Sequence, residues 1–340
     1  MALDIPRTRL ATLPTPVESR RLRTANGTAD LVVKRDDLTG EIYGGNKVRK
    51  LEFLLQRALD RNARRIATFG TVASNHALAT ALYSRSLGLE CTCFLSNQLR
   101  TPACARALNL HHGNGTEIVQ YGGSREKRIA TLRKHLRGRR AFLIPPGGSS
   151  WLGAVGFVNA ALELAAQIEA GELAAPERLY VANGTMGTAA GLALGLALAG
   201  LSTEVHAIRV TEPFVSSPEA LGRLLEKTAA MLHRADPAIP QDLASRTQSV
   251  FREGFLGDGY AKPTAAARHA IEVARDQLGL TLEDTYTGKA LAALLHDLDD
   301  GTATGNVLFW NTYNSRPLQA GVSRPIDTTG IPEAFLRYFY

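Results

Sequence analysis

The chain alternates short runs of β-branched and apolar residues with segments of helical spacing, and Gly or Ser separates the two. Residues 65–69 (RIATF) have the composition of a strand, a Gly-Thr break follows, and residues 74–87 have apolar residues at helical spacing. Residues 178–182 (RLYVA) lead in the same way through the loop 183–188 into an Ala/Leu-rich helix. Strands that alternate with helices form parallel sheets covered on both faces. The sequence therefore predicts the α/β fold class.

The length of 340 residues favours two domains, at about 150 residues per domain. The stretch 145–150 (PPGGSS), just before a predicted helix, is the best candidate for the junction between them. The same strand and helix patterns recur elsewhere in the chain. Further strands are predicted at residues 31–35, 91–95, 115–120, 141–144, 203–210 and 307–310, and further helices at residues 48–59, 154–169 and 265–278.

Composition excludes several classes of protein. Hydrophobic residues at 45% and charged residues at 21% exclude an intrinsically disordered chain. The three cysteines form no CxxC pair, so we expect no disulfide scaffold, no metal site and a reducing, cytoplasmic environment. The N-terminal segment lacks the apolar stretch of a secretory signal, and the longest apolar run, 189–201, is too short to span a membrane. The four-residue spacing of Gly187, Gly191 and Gly195 indicates a closely packed soluble helix rather than a membrane dimer motif.

The net charge of +7 leaves a nucleic-acid-binding protein as one alternative. Residues 125–140 (REKRIATLRKHLRGRR) concentrate the basic side chains. They include no aromatic residue on which a base could stack, and they fit an exposed helix. A solvated helix face is therefore favoured, and we expect no nucleic-acid partner.

Lysine is scarce in the chain, with 8 residues against 31 arginines, and one lysine lies in a glycine-rich loop. Lys47 follows Gly44, Gly45 and Asn46 where a helix is predicted to begin. Unlike Arg, a Lys side chain can lose its charge near neutral pH and form a covalent bond with an aldehyde. Lys47 is thus a candidate nucleophile, and the alternative is a surface lysine in a first helical turn.

Two further loops precede predicted helices at the carboxyl ends of strands, where ligands bind in α/β sheets. In the loop 183–188 (NGTMGT), free N–H groups and the helix dipole could hold an anion, most simply a phosphate. The loop lacks the GxGxxG spacing and the chain has no Walker A pattern, which favours a phosphate outside a dinucleotide, although a plain strand–helix turn is equally consistent. In the loop 70–76, Ser74 is either a helix N-cap or, with Asn75, a ligand-facing residue.

Hydroxyl-bearing residues form a fourth group of candidates, in the segments around Tyr260, around Tyr286 and Thr287, and around Thr312. Taken singly, such residues are usually core or turn residues. Pyridoxal phosphate carries an aldehyde, a phosphate and a pyridine nitrogen, so it needs an amine, an anion cradle and a polar partner. The combination of these loops in one α/β fold is compatible with that cofactor.

Seven segments spread over nearly the whole chain resemble motifs of one enzyme family. They are LPTPVESRRL, VKRDDLTG, the highly specific GGNKVRKLEFLL, SNHALATALYSRSLGL, NGTMGTAAGL, GYAKPT and YTGKALAALL. On these motifs the chain resembles the D-cysteine desulfhydrase and 1-aminocyclopropane-1-carboxylate (ACC) deaminase family of fold-type II pyridoxal-phosphate enzymes. The resemblance implies two domains with open, twisted, mostly parallel sheets, similar to the tryptophan synthase β subunit, and a homodimer. It places a large cofactor domain at residues 1–49 and 161–340 and a small inserted domain at residues 50–160.

The resemblance also implies roles for individual residues. Lys47 would bind the aldehyde of the cofactor covalently. Ser74 would lie near the substrate, and Asn75 would meet the ring hydroxyl of the cofactor. Tyr260 and Tyr286 would face the substrate. The remaining cofactor contacts are implied at Gly184, Thr185, Met186, Gly187, Thr188, Thr287 and Thr312.

Two of these positions indicate the type of reaction. Thr287 stands where ACC deaminases have a Glu beside the pyridine nitrogen, and Thr312 stands where they have a Leu, whereas desulfhydrase-like members carry small hydroxyl residues at both. A carboxylate keeps the ring nitrogen protonated, which favours the deep electron withdrawal that opening of a cyclopropane needs. A hydroxyl permits a neutral ring nitrogen, which suffices when a β-substituent can leave. The resemblance therefore indicates an eliminating enzyme.

The substrate side departs from the family pattern. The family's HTGGxP after the last strand is replaced by residues 311–316 (NTYNSR), and Thr71 and Ala73 stand where a Gly and a Gln are usual. Arg316 or Tyr313 could therefore read a different group, such as a second acid on the substrate. The alternative for Arg316 is a surface position.

From these residues we expect a cytoplasmic lyase that acts on a small amino acid, with conversion of D-cysteine to pyruvate, hydrogen sulfide and ammonia as the leading reaction. Lys47 or Ser74 would take the Cα proton, and Tyr260 or Tyr286 would tune Ser74 or protonate the leaving group. Deamination of ACC, release of sulfite from cysteate and elimination from another β-substituted amino acid are the alternatives within the family. Two alternatives are not active enzymes of this family. One is a basic nucleic-acid-binding protein, and the other is a homologue that binds the cofactor but does not turn over a substrate.

Overall fold

The computed structural model of the protein describes residues 3–318 and 328–340, which form two compact units. The first unit contains residues 3–6, 11–50 and 149–316, and the second contains residues 7–10, 51–148, 317–318 and 328–340. The resemblance places the domain boundaries after residues 49 and 160, whereas the units divide after residues 50 and 148. Residue 160 lies inside a long helix, Trp151–Glu169, all of which belongs to the first unit.

The helices and strands alternate through most of the described residues. The strands, in chain order, are β1 (Val17–Thr24), β2 (Gly27–Lys34), β3 (Arg65–Thr71), β4 (Glu90–Ser96), β5 (Glu117–Gln120), β6 (Ala141–Leu143), β7 (Arg178–Asn183), β8 (Glu204–Arg209), β9 (Ser249–Arg252) and β10 (Val307–Trp310). The helices are α1 (Lys47–Asp60), α2 (Asn75–Ser86), α3 (Pro102–Gly113), α4 (Arg125–Leu136), α5 (Trp151–Glu169), α6 (Gly187–Leu198), α7 (Pro218–Ala235), α8 (Ala265–Val273), α9 (Thr287–Asp299) and α10 (Glu333–Leu336). The helix predicted at residues 265–278 is α-helical to Val273 and continues as a π-helical segment, Ala274–Leu278.

The described part of the first unit is built on a six-stranded sheet in the order β1-β2-β10-β7-β8-β9. β1 and β2 form an antiparallel pair, and the other neighbouring strands are parallel. The central strand β10 (VLFW) is buried along its whole length, as expected for a parallel strand covered on both faces. The predicted α/β class with mostly parallel sheets is confirmed.

Helices α5 and α6 pack closely because glycines line their contact. A Cβ atom on Gly191 would lie 2.5 Å from the Cβ of Phe157, and one on Gly195 would lie 2.6 Å from the Cβ of Ala161. Without side chains at these positions, the two helix backbones can approach each other. Among the described residues, α5 alone is long and apolar enough to cross a membrane, and 72% of that segment is buried inside the protein. The glycine spacing thus contributes to a packed core, as the sequence predicts.

The second unit contains, in the described residues, a four-stranded parallel sheet in the order β5-β4-β3-β6. Ala67, Phe94 and Val119 form a buried cluster on it, and Phe69 and Tyr121 pack against that cluster. Helix α4, which carries the basic stretch, has no buried residue. Its exposure agrees with the predicted solvated face.

Six of the elements described by the structure are missing from the sequence prediction: β1, β9, α3, α7, α9 and α10. In β1 (VESRRLRT) only Leu22 is buried, because the strand lies at the sheet edge and its polar residues face solvent. Such a strand lacks the apolar alternation by which strands are recognised. Helix α7 does carry a start signal, since the Ser217 hydroxyl accepts the Ala220 N–H at 3.2 Å and Pro218 follows at the first helical position.

Candidate active site

Two glycines let the loop before α1 pass close to neighbouring backbone. Gly45 has a φ of +87°, and a Cβ on it would lie 2.7 Å from the carbonyl oxygen of Thr312. A Cβ on Gly44 would collide with the carbonyl oxygen of Asp37. The N–H of Asn46 donates to the Thr312 carbonyl at 3.2 Å. Larger residues would push this loop away from the segment after β10, so the glycines fix where α1 begins.

Lys47 is the first residue of α1, and its amine lies among polar and aromatic groups. Nζ donates to Asn46 Oδ1 at 2.9 Å and lies 5.9 Å from the centre of the Tyr286 ring. Burial lowers the pKa of Lys47 to about 8, although the negative charge of Glu283 acts in the opposite direction. A neutral amine is therefore available near neutral pH to a far greater extent than on an exposed lysine, so Lys47 can serve as a nucleophile or a base.

The start of α1 is held in place by a buried ion cluster. The Arg49 guanidinium binds Asp36 at 2.7 Å and Glu163 at 2.9 Å. Lys34 joins the same Glu163 carboxylate at 2.7 Å. Both positive charges hold the pKa of Glu163 down at about 2, against the effect of its burial. The cluster ties α1 to α5 and to the turn after β2, which limits the positions that Lys47 can take.

The loop 183–188 turns sharply into α6 at a strained residue. Met186 has a left-handed φ of +66°, a conformation that costs a non-glycine residue about 1–3 kcal/mol and tends to be retained at functional sites. In the first turn of α6, the Thr188 hydroxyl accepts the Asn46 side-chain amide at 3.0 Å. The Thr185 hydroxyl lies 2.7 Å from that of Ser149. The N–H groups and dipole at the start of α6, with these hydroxyls, can hold a phosphate.

A buried lysine lies beside this loop. A Cβ on Gly187 would lie 2.6 Å from Ser149 Oγ and 3.1 Å from Lys50 Nζ, and Lys50 Nζ donates to Ser149 Oγ at 3.4 Å. Burial, and then the like charge of Lys47, hold the pKa of Lys50 well below its usual value. An anion at the start of α6 would offset both effects. Neither Lys50 nor Ser149 is a candidate in the sequence prediction, because nothing in their spacing shows that they meet this loop.

The two predicted tyrosines meet through their hydroxyl groups. Tyr260 Oη and Tyr286 Oη lie 2.6 Å apart. The N–H of Tyr260 donates to Glu212 Oε1 at 3.1 Å, and Lys289 Nζ donates to the carbonyl of Leu256 at 2.7 Å. These contacts hold the loop that carries Tyr260 beside α9, which carries Tyr286. Burial, and then Tyr260, hold the pKa of Tyr286 well above its usual value, so its phenol stays protonated.

Thr287 begins α9 and is bound to Glu283, a residue that the sequence prediction misses. The Glu283 carboxylate accepts the N–H groups of Thr285 at 2.8 Å, Tyr286 at 2.7 Å and Thr287 at 2.9 Å. In return, the Glu283 N–H donates to Thr287 Oγ1 at 3.1 Å. An acidic residue just before the apolar pattern of residues 290–298 is a recognised signal for the start of a helix, and it could have identified both α9 and Glu283.

The segment after β10 is bound to the turn that follows β2. The guanidinium of Arg316 donates to the carbonyls of Leu38 at 3.1 Å and Gly40 at 3.2 Å. Asn314 Oδ1 accepts the Gly44 N–H at 2.6 Å. Arg316 is half-buried, so it lies neither on an open surface nor unattached in front of a substrate. Its contacts give it a structural role in holding the loop before α1.

Tyr313 is the other residue that could recognise a group on the substrate, and it is half-buried. It lies within electrostatic range of Tyr43, which is buried in the loop before α1. Burial first, and then Tyr313 and Glu283, raise the pKa of Tyr43. The Tyr43 phenol therefore stays protonated, and Tyr43 is a further residue that the sequence prediction misses.

Ser74 and Asn75 belong to the second unit, where α2 begins. Ser74 is the N-cap of α2, and its hydroxyl accepts the Ala77 N–H at 3.2 Å. Gly70 makes room for this cap, because a Cβ there would lie 2.5 Å from Ser74 Oγ. The capping alternative for Ser74 is thus present in the structure, and its role toward a substrate stays a prediction.

The other predicted site residues come together in the first unit through the contacts above. Gly184 completes the group, since a Cβ on it would lie 3.2 Å from Tyr286 Cε1. A near-neutral amine, a helix start beside a buried lysine, and several hydroxyl groups match the aldehyde, the phosphate and the ring of pyridoxal phosphate. The residues present therefore fit this cofactor. The predicted residues joined in this way are Lys47, Gly184, Thr185, Met186, Gly187, Thr188, Tyr260, Tyr286, Thr287 and Thr312.

Comparison with known proteins decides the family. Residues 8–312 match the family described as pyridoxal-phosphate dependent enzyme. The chain belongs to this family. As a pyridoxal-phosphate-dependent enzyme it has the predicted cofactor, and the predicted membership of the D-cysteine desulfhydrase and ACC deaminase group is confirmed by its relatives and its fold-type II architecture.

Three proteins similar to this pyridoxal-phosphate-dependent enzyme span almost its whole length. Nocardicin C-9' epimerase of Nocardia uniformis subsp. tsuyamanensis is 35% identical over 322 residues, 92% of this chain and 94% of the relative. D-cysteine desulfhydrase of Salmonella paratyphi A is 32% identical over 325 residues, 93% of this chain and 96% of the relative. The crystal structure of an ACC deaminase homologue has a TM-score of 0.76 and 29% identity, and the match covers 98% of this chain and 97% of that one.

Proposed function

We propose that this enzyme is a lyase that removes a β-substituent and ammonia from a small amino acid. D-cysteine is the leading substrate, and with one water it would give pyruvate, hydrogen sulfide and ammonia. One observation carries the proposal: the first residue of α9 is Thr287, which has a hydroxyl side chain. The preceding residue is Tyr286, and its ring centre lies 5.9 Å from Lys47 Nζ. The D-cysteine desulfhydrase at 32% identity supports the same substrate.

The reaction needs a base for the Cα proton and a hydrogen-bond donor for the leaving group, and side chains of this site can supply both. Bound pyridoxal phosphate withdraws electrons from the Cα atom of an amino acid, which makes its proton removable. Lys47, with a pKa of about 8, can take that proton, and Ser74 is the alternative base if the proton lies on the opposite face. A positioned base of this kind contributes about 10²- to 10⁴-fold in rate. The Tyr260–Tyr286 hydroxyl pair can donate a hydrogen bond to the departing sulfur, because the raised pKa of Tyr286 keeps its phenol protonated.

A hydroxyl group beside the ring nitrogen of the cofactor would favour elimination over opening of a cyclopropane. Thr287 offers a hydroxyl at the position where a carboxylate would keep that nitrogen protonated. The nearby carboxylate of Glu283 is occupied by three backbone N–H groups. A neutral ring nitrogen withdraws electrons less strongly, which is sufficient when a thiolate can leave from the β-carbon. ACC has no such leaving group, so it is the less favoured substrate.

A panel of substrates tests the proposal on the purified enzyme with its cofactor. D-cysteine, L-cysteine, β-chloroalanine, cysteate and ACC are supplied in turn, and pyruvate, sulfide, sulfite and 2-oxobutanoate are measured. We expect pyruvate and sulfide from D-cysteine, and loss of both the product and the visible absorbance of the bound cofactor in Lys47→Ala. Formation of 2-oxobutanoate from ACC would contradict the role given to Thr287 and Thr312. Bound cofactor without product from any of these amino acids would favour a homologue that has lost turnover.

Epimerisation is the second candidate function, because the relative at 35% identity is named an epimerase. Elimination and epimerisation both begin with removal of the Cα proton, and they differ in whether a β-substituent then leaves. In deuterated water, epimerisation would give the inverted amino acid with deuterium at Cα and no pyruvate. An amino acid without a β-leaving group, such as alanine, shows this outcome most clearly. A cytoplasmic location and a homodimer remain parts of the proposal, and analytical ultracentrifugation tests the dimer.

A further inference from the structure

Glu283 is a half-buried acidic residue before α9 that the proposed reaction does not use. Its two carboxylate oxygens accept three consecutive backbone N–H groups, from Thr285, Tyr286 and Thr287. Tyr286, the N-cap of α9, makes no capping hydrogen bond with its own side chain. Glu283 therefore supplies the acceptors that the first N–H groups of the helix need, and its charge suits the positive end of the helix dipole. One side chain thus fixes the backbone of two proposed site residues.

The same residue also orients the hydroxyl group of Thr287. The Glu283 N–H donates to Thr287 Oγ1 at 3.1 Å, so this oxygen already accepts one hydrogen bond. The hydroxyl hydrogen is left to donate, either to Glu283 Oε1 at 3.4 Å or to the ring nitrogen of a bound cofactor. Glu283 thereby sets the direction in which Thr287 can act.

The negative charge of Glu283 interacts electrostatically with groups in other parts of the site. Lys47 on α1 and Tyr43 in the loop before it lie within its electrostatic range, as do Tyr286 and Lys289 on α9. For Lys47 it favours the charged amine, against the larger effect of burial.

The charge of Lys50 and the surroundings of Glu283 itself also affect the protonation of Lys47 and Glu283. Lys50, one turn along α1, lies close enough to Lys47 for the like charges to repel. Burial raises the pKa of Glu283 itself, while its backbone hydrogen bonds act to lower it. Those hydrogen bonds stabilise the negative charge of a carboxylate at this half-buried position.

We propose that Glu283 is a positioning residue with two roles. It fixes Tyr286 and Thr287 at the start of α9, and its negative charge stabilises the protonated amine of Lys47. The inference rests on the proposed function for the role of Lys47, and it does not depend on which amino acid is the substrate. The proposed role goes beyond capping of α9. Capping alone would leave the titration of a lysine on another helix unchanged, so an effect on Lys47 separates the two roles.

The substitution Glu283→Gln removes the charge and keeps the size of the side chain. Asp284→Asn is the matched control, since it removes the neighbouring carboxylate, which is not among the charges that act on Lys47. Each full-length protein is loaded with pyridoxal phosphate, and the visible absorbance of the bound cofactor is recorded against pH without substrate. This absorbance reports the protonation of the Lys47 nitrogen bound to the cofactor, so it is measured independently of turnover.

Loss of the negative charge makes the protonated form of the Lys47 nitrogen less favourable. We therefore expect the midpoint of the absorbance change to move to lower pH in E283Q and to stay at the wild-type position in D284N. We also expect kcat to fall by roughly tenfold or more in E283Q, because displaced groups at a reacting centre lose rate steeply. A folded E283Q protein with the wild-type midpoint would overturn the proposal, whichever substrate the enzyme uses.

A second variant covers the case in which E283Q does not fold. Glu283→Asp keeps the charge and withdraws it by one methylene group from Lys47. A smaller shift of the midpoint in the same direction would support the proposal, and an unchanged midpoint with unchanged cofactor affinity would overturn it. Absence of product from every amino acid in the substrate panel would instead count against the proposed function and leave this measurement intact.

Discussion

At the scale of single residues, Lys50 gives the sharpest test of the phosphate site. Its amine is buried beside Ser149 and close to Lys47, and its pKa is lowered by both burial and that like charge. A phosphate at the start of α6 would place a negative charge beside this amine. We expect Lys50→Met to weaken the binding of pyridoxal phosphate by about 10- to 100-fold, since a hydrogen bond to a charged group contributes about 1.5–3 kcal/mol.

Comparison of two ligands separates this effect from general damage to the site. Pyridoxal has the same ring and aldehyde but no phosphate, so K50M should bind it as well as the wild-type protein does. Fluorescence titration of both proteins with both ligands measures the difference. An equal loss of affinity for pyridoxal and pyridoxal phosphate would show that Lys50 does not act on the phosphate.

Some site residues can be recognised from the local sequence, and others can be recognised only from contacts in the folded protein. Lys47 stands out because its chemistry and its glycine-rich context are local. Lys50, Ser149 and Glu283 are recognised only from contacts: Lys50 and Ser149 are 99 positions apart in the chain, and nothing in their spacing brings them together. Glu283 is local to α9, yet its effect on Lys47 depends on how α9 and α1 are packed, which composition does not determine.

At the scale of elements, the segment after β10 acts as a brace for the loop before α1. Arg316 is its main attachment, through the carbonyls of Leu38 and Gly40. We expect Arg316→Ala to lower the free energy of unfolding by about 1–3 kcal/mol, because two partly buried carbonyls lose their partners. The ratio of the rates with cysteate and with D-cysteine should stay the same, since Arg316 is engaged with the backbone. Thermal unfolding and steady-state kinetics measure the two quantities, and a selective loss of the reaction with cysteate would instead assign Arg316 to a second acid on the substrate.

The elements themselves are predictable where the hydrophobic pattern is strong. The buried parallel strands, such as β7 and β10, appear in the sequence as apolar runs and are predicted to within a few residues. The strand β9 is missed, and it is a half-buried strand at the sheet edge. The edge strand β1 is missed because one face of it lies in solvent and only Leu22 is buried. The end of α8 is misjudged because the pattern continues through Leu278, while the backbone changes to a π-helical turn after Val273.

At the scale of the whole molecule, the net charge of +7 is the least informative feature of the chain. Much of this net charge lies in residues 125–140 of the second unit, which include α4, a helix that buries none of its residues. The charges that matter for the site are few and buried, and they belong to the first unit. There, Arg49 and Lys34 are paired with Asp36 and Glu163 in the cluster that holds α1 to α5. The stability of the first unit should therefore depend on pH in a way that the exposed charges do not.

The Glu163 carboxylate sets the direction of this pH dependence. Its pKa of about 2 lies below that of an unfolded glutamate, so the stabilisation is fully present above about pH 4.5 and is lost as the pH falls toward 2. Lys34 acts in the opposite direction, since burial lowers its pKa. We expect Glu163→Gln to lower the free energy of unfolding at pH 7 by about 3 kcal/mol, and the difference from the wild-type protein to vanish near pH 2.

Tryptophan fluorescence is the measurement suited to this prediction, because both tryptophans, Trp151 and Trp310, lie in the first unit. Urea unfolding followed by this signal therefore reports the first unit, and it is repeated from pH 7 down to pH 2. Asp276→Asn is the control, since Asp276 forms an exposed pair with Arg275 and its removal should leave the urea midpoint unchanged. If E163Q and the wild-type protein unfold at the same urea concentration across this range, the buried cluster does not stabilise the unit that carries Lys47.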